Sequence, residues 1–533
     1  MQSPHRDDQQ VNPAGSAFAE LGQLLNGLAT KRRKLILSFV VAAGFCLIVN
    51  SSWNATPDSA LYLTLGESIA RGDGYVFNGE PHTFVPPGLP LILAGAARFL
   101  GPEFLYYRIV MALAGLLTAW FGYLFVARLC GQDTAFLVGG VFALNHILLF
   151  NSTFVLADVV YALFTLIALN AALSAAEESG DHSRLLIAGL IMGIPPLIRI
   201  NGAAIPVSTA IFFYCAWKNF STRKRLLRIA LFLAISFIPF LLWQYWKSSF
   251  PVSESEGTYL NAVAGRRWDD QLRVIVTALM EYIPESSLAL TGVSLKTGFL
   301  ELPVPMLAVF GLFWAFRKGE RLLVPLTVIQ SCGLLLSSAG TRYLIFLLPG
   351  LYLFLALGAL QLFKFLGRKF QSMPEPRSLL VGSFAVLALL NAGHNLGVVW
   401  SARTPLERNG AETERSLPFF TAARWLKENA PDATVLTIRP RIIHYLSGCR
   451  TVSLVRSGVP DHDIWLDTEE RLKRMIRESS PDFLFVDSKD AGYYSHVTKV
   501  IERTGYKLEE INPEASSVRF RLFRLAGPEE RPH

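Results

Sequence analysis

Long apolar segments recur along the first 400 residues of this chain, separated by short polar stretches. About eleven of them are candidate membrane-spanning helices, each of which needs about 20 apolar residues to cross a hydrocarbon core of about 30 Å. The composition agrees, since 51% of the residues are hydrophobic, 17% are charged and the mean hydropathy is +0.36. Backbone polar groups find no water in lipid, and the segments are too long and continuous for barrel strands. The sequence therefore predicts a polytopic α-helical membrane protein.

Clusters of Lys and Arg lie at alternate ends of successive apolar segments, at 31–34, 223–228, 317–321 and 364–369. Cytoplasmic loops carry such an excess of basic residues, so the pattern predicts a multi-pass protein of the plasma or inner membrane with a cytoplasmic amino terminus. An odd number of helices then puts the carboxyl-terminal tail outside. Although the net charge is +8, clusters spread along a membrane face form no continuous groove for nucleic acid.

The chain divides into three predicted parts. Residues 1–30 form a loosely ordered cytoplasmic lead, 31–400 a membrane domain and 401–533 an extracytoplasmic α/β domain, in which strand-like and helix-like patterns alternate. The membrane domain has a first outer loop at 51–103 and a long outer loop at 247–302. The predicted spans are 35–50, 104–129, 134–150, 155–176, 185–199, 202–217, 228–246, 303–316, 322–340, 343–362 and 379–400.

The first outer loop carries the leading candidate for chemistry. Pro57 and the spacing of the apolar residues that follow predict a short amphipathic helix over Asp58–Ala70, lying at the membrane interface. A second apolar element follows Pro86 and Pro87 and ends near Gly101. A partly desolvated Asp58 carboxylate could act as a general base, whereas a structural role would be to cap the helix. Tyr62 shares its face and either positions a substrate or anchors the helix.

Five further polar residues are predicted on the same side of the membrane. His82 lies in the first outer loop, and Asp158 lies at the outer end of the fourth span, where ionisable groups usually face the bundle interior. Three arginines are placed near outer ends of spans, against the positive-inside trend. Their forked guanidinium groups match phosphate oxygens, and snorkelling to lipid headgroups is the alternative. They are Arg108, Arg199 and Arg342.

These segments together resemble the dolichyl-phosphate-mannose-protein mannosyltransferase family and the bacterial aminoarabinose transferases of lipid A, which belong to the GT-C glycosyltransferase superfamily. The resemblance covers residues 35–400 and depends on the order and spacing of several short motifs. They are 57–62 with Gly72 and Gly74, 85–90, Arg108, 156–158, 197–202, and 341–343 leading to Pro349.

The resemblance implies a transferase that moves a sugar from a polyprenyl phosphate to a lipid, glycan or protein acceptor on the outer face. Asp58 would be the base of an inverting reaction, the arginines would hold the departing phosphate, and Asp158 would help to position sugar or acceptor. The chain departs from the family at two positions. Ser59 stands where protein mannosyltransferases commonly have a second acid, and Val85 replaces the basic residue of the aminoarabinose transferases.

No metal or other cofactor is expected, because no acidic pair resembles a metal site and the five cysteines form no zinc constellation. A secondary transporter or flippase is the main alternative, since it also needs many helices and intramembrane charges. Transporters tend to show paired repeats, whereas the first outer loop and the tail have no counterpart in a second half. A third possibility is a sensory tail on an inactive membrane part.

Overall fold

The computed structural model describes residues 16–177, 181–250, 268–293, 301–335, 340–370, 372–403, 410–454, 469–487, 491–511 and 520–526. The predicted outer loop at 247–302 therefore lies partly outside the described residues. The helices are α1 Ser16–Leu24, α2 Lys31–Leu47, α3 Pro57–Arg71, α4 Gly88–Leu100, α5 Phe104–Cys130, α6 Gln132–Thr134, α7 Gly140–Ala143, α8 His146–Asn151, α9 Ala157–Glu177, α10 His182–Met192, α11 Ile194–Ile198, α12 Ala204–Ala216, α13 Thr222–Ser248, α14 Trp268–Thr291, α15 Pro303–Arg317, α16 Leu323–Leu334, α17 Leu348–Lys369, α18 Pro376–Arg403, α19 Gly410–Asn429, α20 Pro440–Ser447, α21 Glu469–Ser479 and α22 Ala491–Arg503. The strands are β1 Val76–Phe77, β2 Glu80–Pro81, β3 Thr434–Thr437, β4 Arg450–Ser453, β5 Phe483–Asp487, β6 Lys507–Ile511 and β7 Phe520–Ala526.

Among the described residues, five helices are long and apolar enough to cross a membrane: α5, α9, α13, α17 and α18. Shorter apolar helices of 10–17 residues accompany them, including α4, α12, α15 and α16. The predicted multi-pass helical class is thus confirmed, while the count of eleven spans stays a prediction.

The predicted span at 134–150 is not one straight helix. It consists of α6, a π-helical turn at Ala135–Gly139, α7 and α8, with a break at Asn145. The buried Asn145 side chain accepts a hydrogen bond from Leu148 N and donates to Ala289 O at 2.7 Å and to Tyr352 Oη at 2.9 Å. A break in a helix at membrane depth is tolerated when side chains satisfy the freed backbone groups, and Asn145 does this here.

The amino-terminal lead was expected to be loosely ordered, and from Ser16 onward that expectation is wrong. Helix α1 buries Phe18 and Leu21 completely, and the Phe18 ring lies 6.5 Å from that of Phe354. Ala29 N donates to the Asp133 carboxylate at 2.6 Å. Burial of the apolar face of α1 stabilises its packing against the membrane helices. Residues 1–15 of the predicted lead lie outside the described part of the chain.

Helix α3 appears where the sequence predicts a helix, but it does not lie on an open interface. Nine of its fifteen residues are buried. One side packs on α4, where a β-carbon at Gly66 would come within 2.9 Å of Leu93 Cβ. The opposite side meets α20 of the carboxyl-terminal part, which the amphipathic pattern alone does not reveal. The second apolar element, predicted to end near Gly101, is α4.

The carboxyl-terminal part contains a five-stranded sheet in the order β4–β3–β5–β7–β6. Strand β3 is parallel to β4 and β5, whereas β7 is antiparallel to β5 and β6. The predicted alternation of strands and helices is therefore present, and β6 is an additional strand that the sequence pattern missed.

The first outer loop is attached to this sheet by specific contacts. Strands β1 and β2 form a small hairpin around Asn78 and Gly79, both of which have positive φ angles. Such an Asn-Gly pair suits a tight hairpin turn. The Asn78 amide donates to Thr451 O at 2.6 Å and accepts from Thr451 N at 3.0 Å. The hairpin thus binds the backbone of β4, while the Phe77 ring lies 4.8 Å from the His444 ring on α20.

Candidate active site

Asp58 lies in the first turn of α3, and its side chain is 45% exposed. The cap of this helix is Thr56, whose hydroxyl accepts from Ser59 N at 3.1 Å. The Ser59 hydroxyl completes a reciprocal capping box with Thr56 N and also accepts from the Trp53 indole. The structural alternative for Asp58, an amino-terminal cap, is therefore wrong, and its carboxylate is left for other partners.

Two arginines from different parts of the chain meet the Asp58 carboxylate. Arg441 Nη1, on α20, donates to Asp58 Oδ1 at 3.2 Å. Arg342 Nη2, in the short 3₁₀ turn Thr341–Leu344, lies 3.9 Å from Asp58 Oδ2. The second distance marks an electrostatic contact rather than a hydrogen bond. Each oxygen of the candidate base thus faces its own guanidinium group.

A second ion pair lies beside the first. Arg199 Nη2 is 2.7 Å from Asp158 Oδ1 at the start of α9, and the Asp158 side chain is 1% exposed. Arg199 follows Pro195 and Pro196, at a point where α11 ends and the backbone becomes extended. The guanidinium groups of Arg199 and Arg342 lie 4.8 and 5.0 Å from the centre of the Tyr343 ring. Tyr343 thus joins the two arginines through cation–π contacts.

Tyr62 lies among these charges. Its ring is buried, and burial raises the pKa of the Tyr62 phenol, while the nearby charge of Arg199 opposes that increase. Asp58, Asp158 and Arg441 also act on it electrostatically. The phenol therefore stays a neutral hydrogen-bonding group at neutral pH.

Five of the seven residues singled out in the sequence therefore converge: Asp58, Tyr62, Asp158, Arg199 and Arg342. Arg441 and Tyr343 complete this group, which we call the arginine–aspartate cluster. Tyr343 belongs to a motif identified in the sequence. No local pattern distinguishes Arg441, because its role depends on the docking of α20 against α3.

A cavity of about 430 Å³ opens beside the cluster. Arg342 and Thr341 form one part of its wall, and Glu285, His146 and Asn151 supply other polar groups. The Glu285 carboxylate accepts from Thr341 N at 2.7 Å and so holds the backbone next to Arg342. Arg342 therefore faces both Asp58 and a space large enough for a ligand.

The second acid of α3, Glu67, is also linked to α20. One carboxylate oxygen, Oε1, accepts from Tyr107 Oη and from Tyr445 Oη, each at 3.0 Å. Burial raises the pKa of Glu67, and the two tyrosine hydrogen bonds counteract this. Arg441 and Tyr445 are one helical turn apart, so α20 contacts both acids of α3.

The structure gives His82 and Arg108 other contacts. His82 is buried, accepts from Val85 N at 3.3 Å and has its ring near those of Tyr75 and Phe77, so it is not the solvated loop residue of the sequence alternative. Arg108 is buried and donates to Ile48 O at 2.9 Å. His82 therefore lies against the hairpin of β1 and β2, and Arg108 lies beside the carboxyl-terminal end of α2.

Residues 84–243 match the family model described as dolichyl-phosphate-mannose-protein mannosyltransferase, which confirms the resemblance predicted from the sequence. No curated protein matches the chain.

Solved structures share this fold at low sequence identity. ArnT from Cupriavidus metallidurans, in a crystal structure bound to undecaprenyl phosphate, has a TM-score of 0.56 and 14% identity, with 94% of this chain and 100% of that chain covered. The Archaeoglobus fulgidus oligosaccharyltransferase, in a complex with Zn and sulfate, has a TM-score of 0.53 and 15% identity, with coverage of 92% and 73%. The oligosaccharyltransferase AglB from Archaeoglobus fulgidus, in complex with an inhibitory peptide and a dolichol-phosphate, has a TM-score of 0.52 and 13% identity. The match covers 93% of this chain and 74% of that chain.

Proposed function

We propose that this protein is an inverting membrane glycosyltransferase that takes its sugar from a polyprenyl phosphate and uses Asp58 as general base. The observation that carries the proposal is the half-exposed Asp58 carboxylate, which lies beside the guanidinium groups of Arg342 and Arg441. An acid and a set of phosphate-binding groups are the two things this reaction needs. The ligands of two structures with the same fold, undecaprenyl phosphate and a dolichol-phosphate, support the class of donor.

In the proposed reaction, an acceptor hydroxyl gives its proton to an Asp58 oxygen as the hydroxyl oxygen attacks the anomeric carbon. The bond from that carbon to the phosphate oxygen breaks, and its electron pair stays on the departing phosphate. The phosphate thereby gains one negative charge, which adjacent arginines stabilise more strongly than they stabilise the donor. Attack from the side opposite to the phosphate inverts the anomeric centre.

Asp158 and Tyr62 would position the sugar or the acceptor. Both Asp158 oxygens are buried and make no hydrogen bond within the described part of the chain, although one is ion-paired with Arg199. Buried carboxylate oxygens normally accept hydrogen bonds, so sugar hydroxyl groups would suit them. The acceptor hydroxyl would belong to a lipid, a glycan or a protein.

We place the site on the outer face of the cell membrane. The converging residues lie at the helix ends opposite to the basic clusters, which mark the cytoplasmic side. The amino terminus would then be cytoplasmic and the carboxyl-terminal sheet extracytoplasmic. We also propose that the reaction requires no metal, and activity that survives chelation with EDTA is the expected result.

The test uses the full chain in lipid nanodiscs, with undecaprenyl-phosphate-linked sugars as donors and release of undecaprenyl phosphate as readout. Asp58→Asn is expected to lower the turnover number by about 10²-fold or more, since general base catalysis contributes that much. Asp73→Asn is the matched control, because Asp73 lies in the same outer loop in an exposed ion pair with Arg71. Undiminished transfer by Asp58→Asn would remove Asp58 as the base. Lipid movement across the bilayer of sealed proteoliposomes, without sugar transfer by the wild type, would favour the flippase alternative.

A further inference from the structure

The site contains a residue that does not belong to the membrane domain. Arg441 lies in the first turn of α20, next to the carboxyl-terminal sheet, and bonds to a residue 383 positions earlier in the chain. Its side chain is 22% exposed. The neighbouring contacts of α20, from Tyr445 to Glu67 and from the Tyr445 ring to Trp53 at 5.0 Å, hold this helix against α3.

The formal charges in the arginine–aspartate cluster do not cancel. Three arginines face two aspartates, which leaves one positive charge. Asp158 is closely paired with Arg199 and also acts electrostatically on Arg342, whereas the half-exposed Asp58 carboxylate faces both Arg342 and Arg441. A sugar-linked polyprenyl phosphate is a phosphodiester with one negative charge, and it would make the cluster neutral.

We propose that Arg441 is a phosphate-binding residue supplied by the carboxyl-terminal part of the chain. In this proposal Arg441 is ion-paired with Asp58 until the donor phosphate binds and replaces Asp58 as its partner. In the free protein both Asp58 oxygens face guanidinium groups. When the phosphate binds Arg441 and Arg342, the Asp58 carboxylate is released to accept a proton. This inference rests on the proposed function and adds a coupling between donor binding and liberation of the base.

The exchange is physically reasonable for three reasons. Asp58 is 45% exposed, so its ion pairs are partly screened by solvent and inexpensive to break. A phosphate offers oxygens that match the forked geometry of arginine, and two arginines can bind it at once. Arg342 already lines the cavity of about 430 Å³, so an entering phosphate would meet it directly.

The exchange also has a consequence for the product. After transfer the carrier is a phosphate monoester with up to two negative charges, which binds the same arginines more tightly than the donor does. Asp58 then returns to Arg441 only when the product leaves. We therefore expect free undecaprenyl phosphate to inhibit the enzyme competitively with the donor.

The experiment measures the binding of undecaprenyl phosphate and of uncharged undecaprenol to the purified full chain in nanodiscs. Arg441→Gln is expected to weaken binding of the phosphate about tenfold, the size of a lost charge-assisted hydrogen bond, and to leave undecaprenol binding unchanged. Arg441→Lys keeps the positive charge but lacks the forked guanidinium group, so its affinity for undecaprenyl phosphate should lie between those of the wild type and Arg441→Gln. Arg439→Gln is the matched control, since Arg439 is exposed and lies two residues earlier at the cap of the same helix.

A further variant tests the exchange itself. Asp58→Asn removes the competitor for both arginines, so undecaprenyl phosphate should bind more tightly than to the wild type, and this gain should shrink in the Asp58→Asn/Arg441→Gln double variant. The inference is overturned if Arg441→Gln binds undecaprenyl phosphate as tightly as the wild type does, or if its affinity for undecaprenol falls by the same factor as its affinity for undecaprenyl phosphate. It is also overturned if Asp58→Asn does not increase the affinity for undecaprenyl phosphate. Failure of the wild type to bind undecaprenyl phosphate would overturn the proposed donor class as well, so the two failures are distinguishable.

Discussion

Arg199 Nη2 lies 2.7 Å from Asp158 Oδ1, and the Asp158 side chain is 1% exposed. This pair joins the start of α9 to the extended backbone after α11, so it connects two helices at the site. Breaking a buried pair leaves one charge without compensation, which costs more than the intact pair contributes.

Asp158→Asn should therefore destabilise the protein by about 2 kcal/mol or more, because Arg199 is left largely buried without its counter-charge. Thermal unfolding of the detergent-solubilised protein measures this effect. Glu510→Gln is the control, since Glu510 pairs with Arg521 on the surface at 3.4 Å and should cost at most about 1 kcal/mol. Equal stability of the two variants would contradict the prediction.

Glu67 makes stability depend on pH. Burial raises the pKa of Glu67 above its ordinary value of 4.5, so the folded state favours the protonated form. The stabilisation from this proton is complete below the ordinary value and is lost as the pH rises through the raised pKa. Glu67→Gln mimics the protonated group, so its melting temperature relative to the wild type should increase as the pH is raised from about 4 to 8.

Tyr445→Phe provides a second measurement on the same acid. It removes a hydrogen bond that favours the ionised carboxylate, so the loss of stability at higher pH should be larger than in the wild type. A melting-temperature difference between Glu67→Gln and the wild type that is independent of pH would refute the role assigned to Glu67.

Replacing two glycines of α17 by alanine should change the stability of the protein in opposite directions. Gly358 faces α15 so closely that a β-carbon would overlap the Leu307 carbonyl oxygen, whereas nothing lies within 4 Å of a β-carbon at Gly367. Gly358→Ala should lower the free energy of unfolding by about 3 kcal/mol or more, because the backbone of α15 or α17 must move to make room for the β-carbon. Gly367→Ala should gain about 0.5 kcal/mol or more from helix propensity. The fraction surviving heating in size-exclusion chromatography compares them, and equal survival would exclude close packing of α15 on α17.

Ser59 has a structural role that its position beside Asp58 conceals. Its hydroxyl accepts from both Thr56 N and the Trp53 indole, and the side chain is completely buried. Ser59→Ala should cost about 1–2 kcal/mol through loss of the capping box and an unsatisfied indole. Ser383→Ala, on the exposed face of α18, should be nearly neutral. Thermal unfolding distinguishes the two, and a neutral Ser59→Ala would show that the cap contributes little.

Local sequence was enough for the elements that depend on nearby residues. Pro57 marks the start of α3 because its fixed φ acts within one turn, although the cap is Thr56 and not Asp58. The strand-like pattern at 434–438 and the buried apolar run at 482–486 likewise predict β3 and β5 to within one or two residues. Strand β6 was missed because its pattern of mostly exposed residues, Lys507–Ile511, lacks the alternation of a half-buried strand.

The sequence by itself determined a helical membrane protein, the position of α3 and most members of the arginine–aspartate cluster, because hydropathy, helix caps and unusual charges are readable along the chain. Only the tertiary structure decided that α3 is buried on both sides and that Asp58 bonds to Arg441. Residues 383 positions apart meet through the docking of α20 on α3, which depends on packing of Trp53, Glu67 and Tyr445. No periodicity encodes such a contact, because it arises from the fit of two surfaces and not from the conformation of either segment.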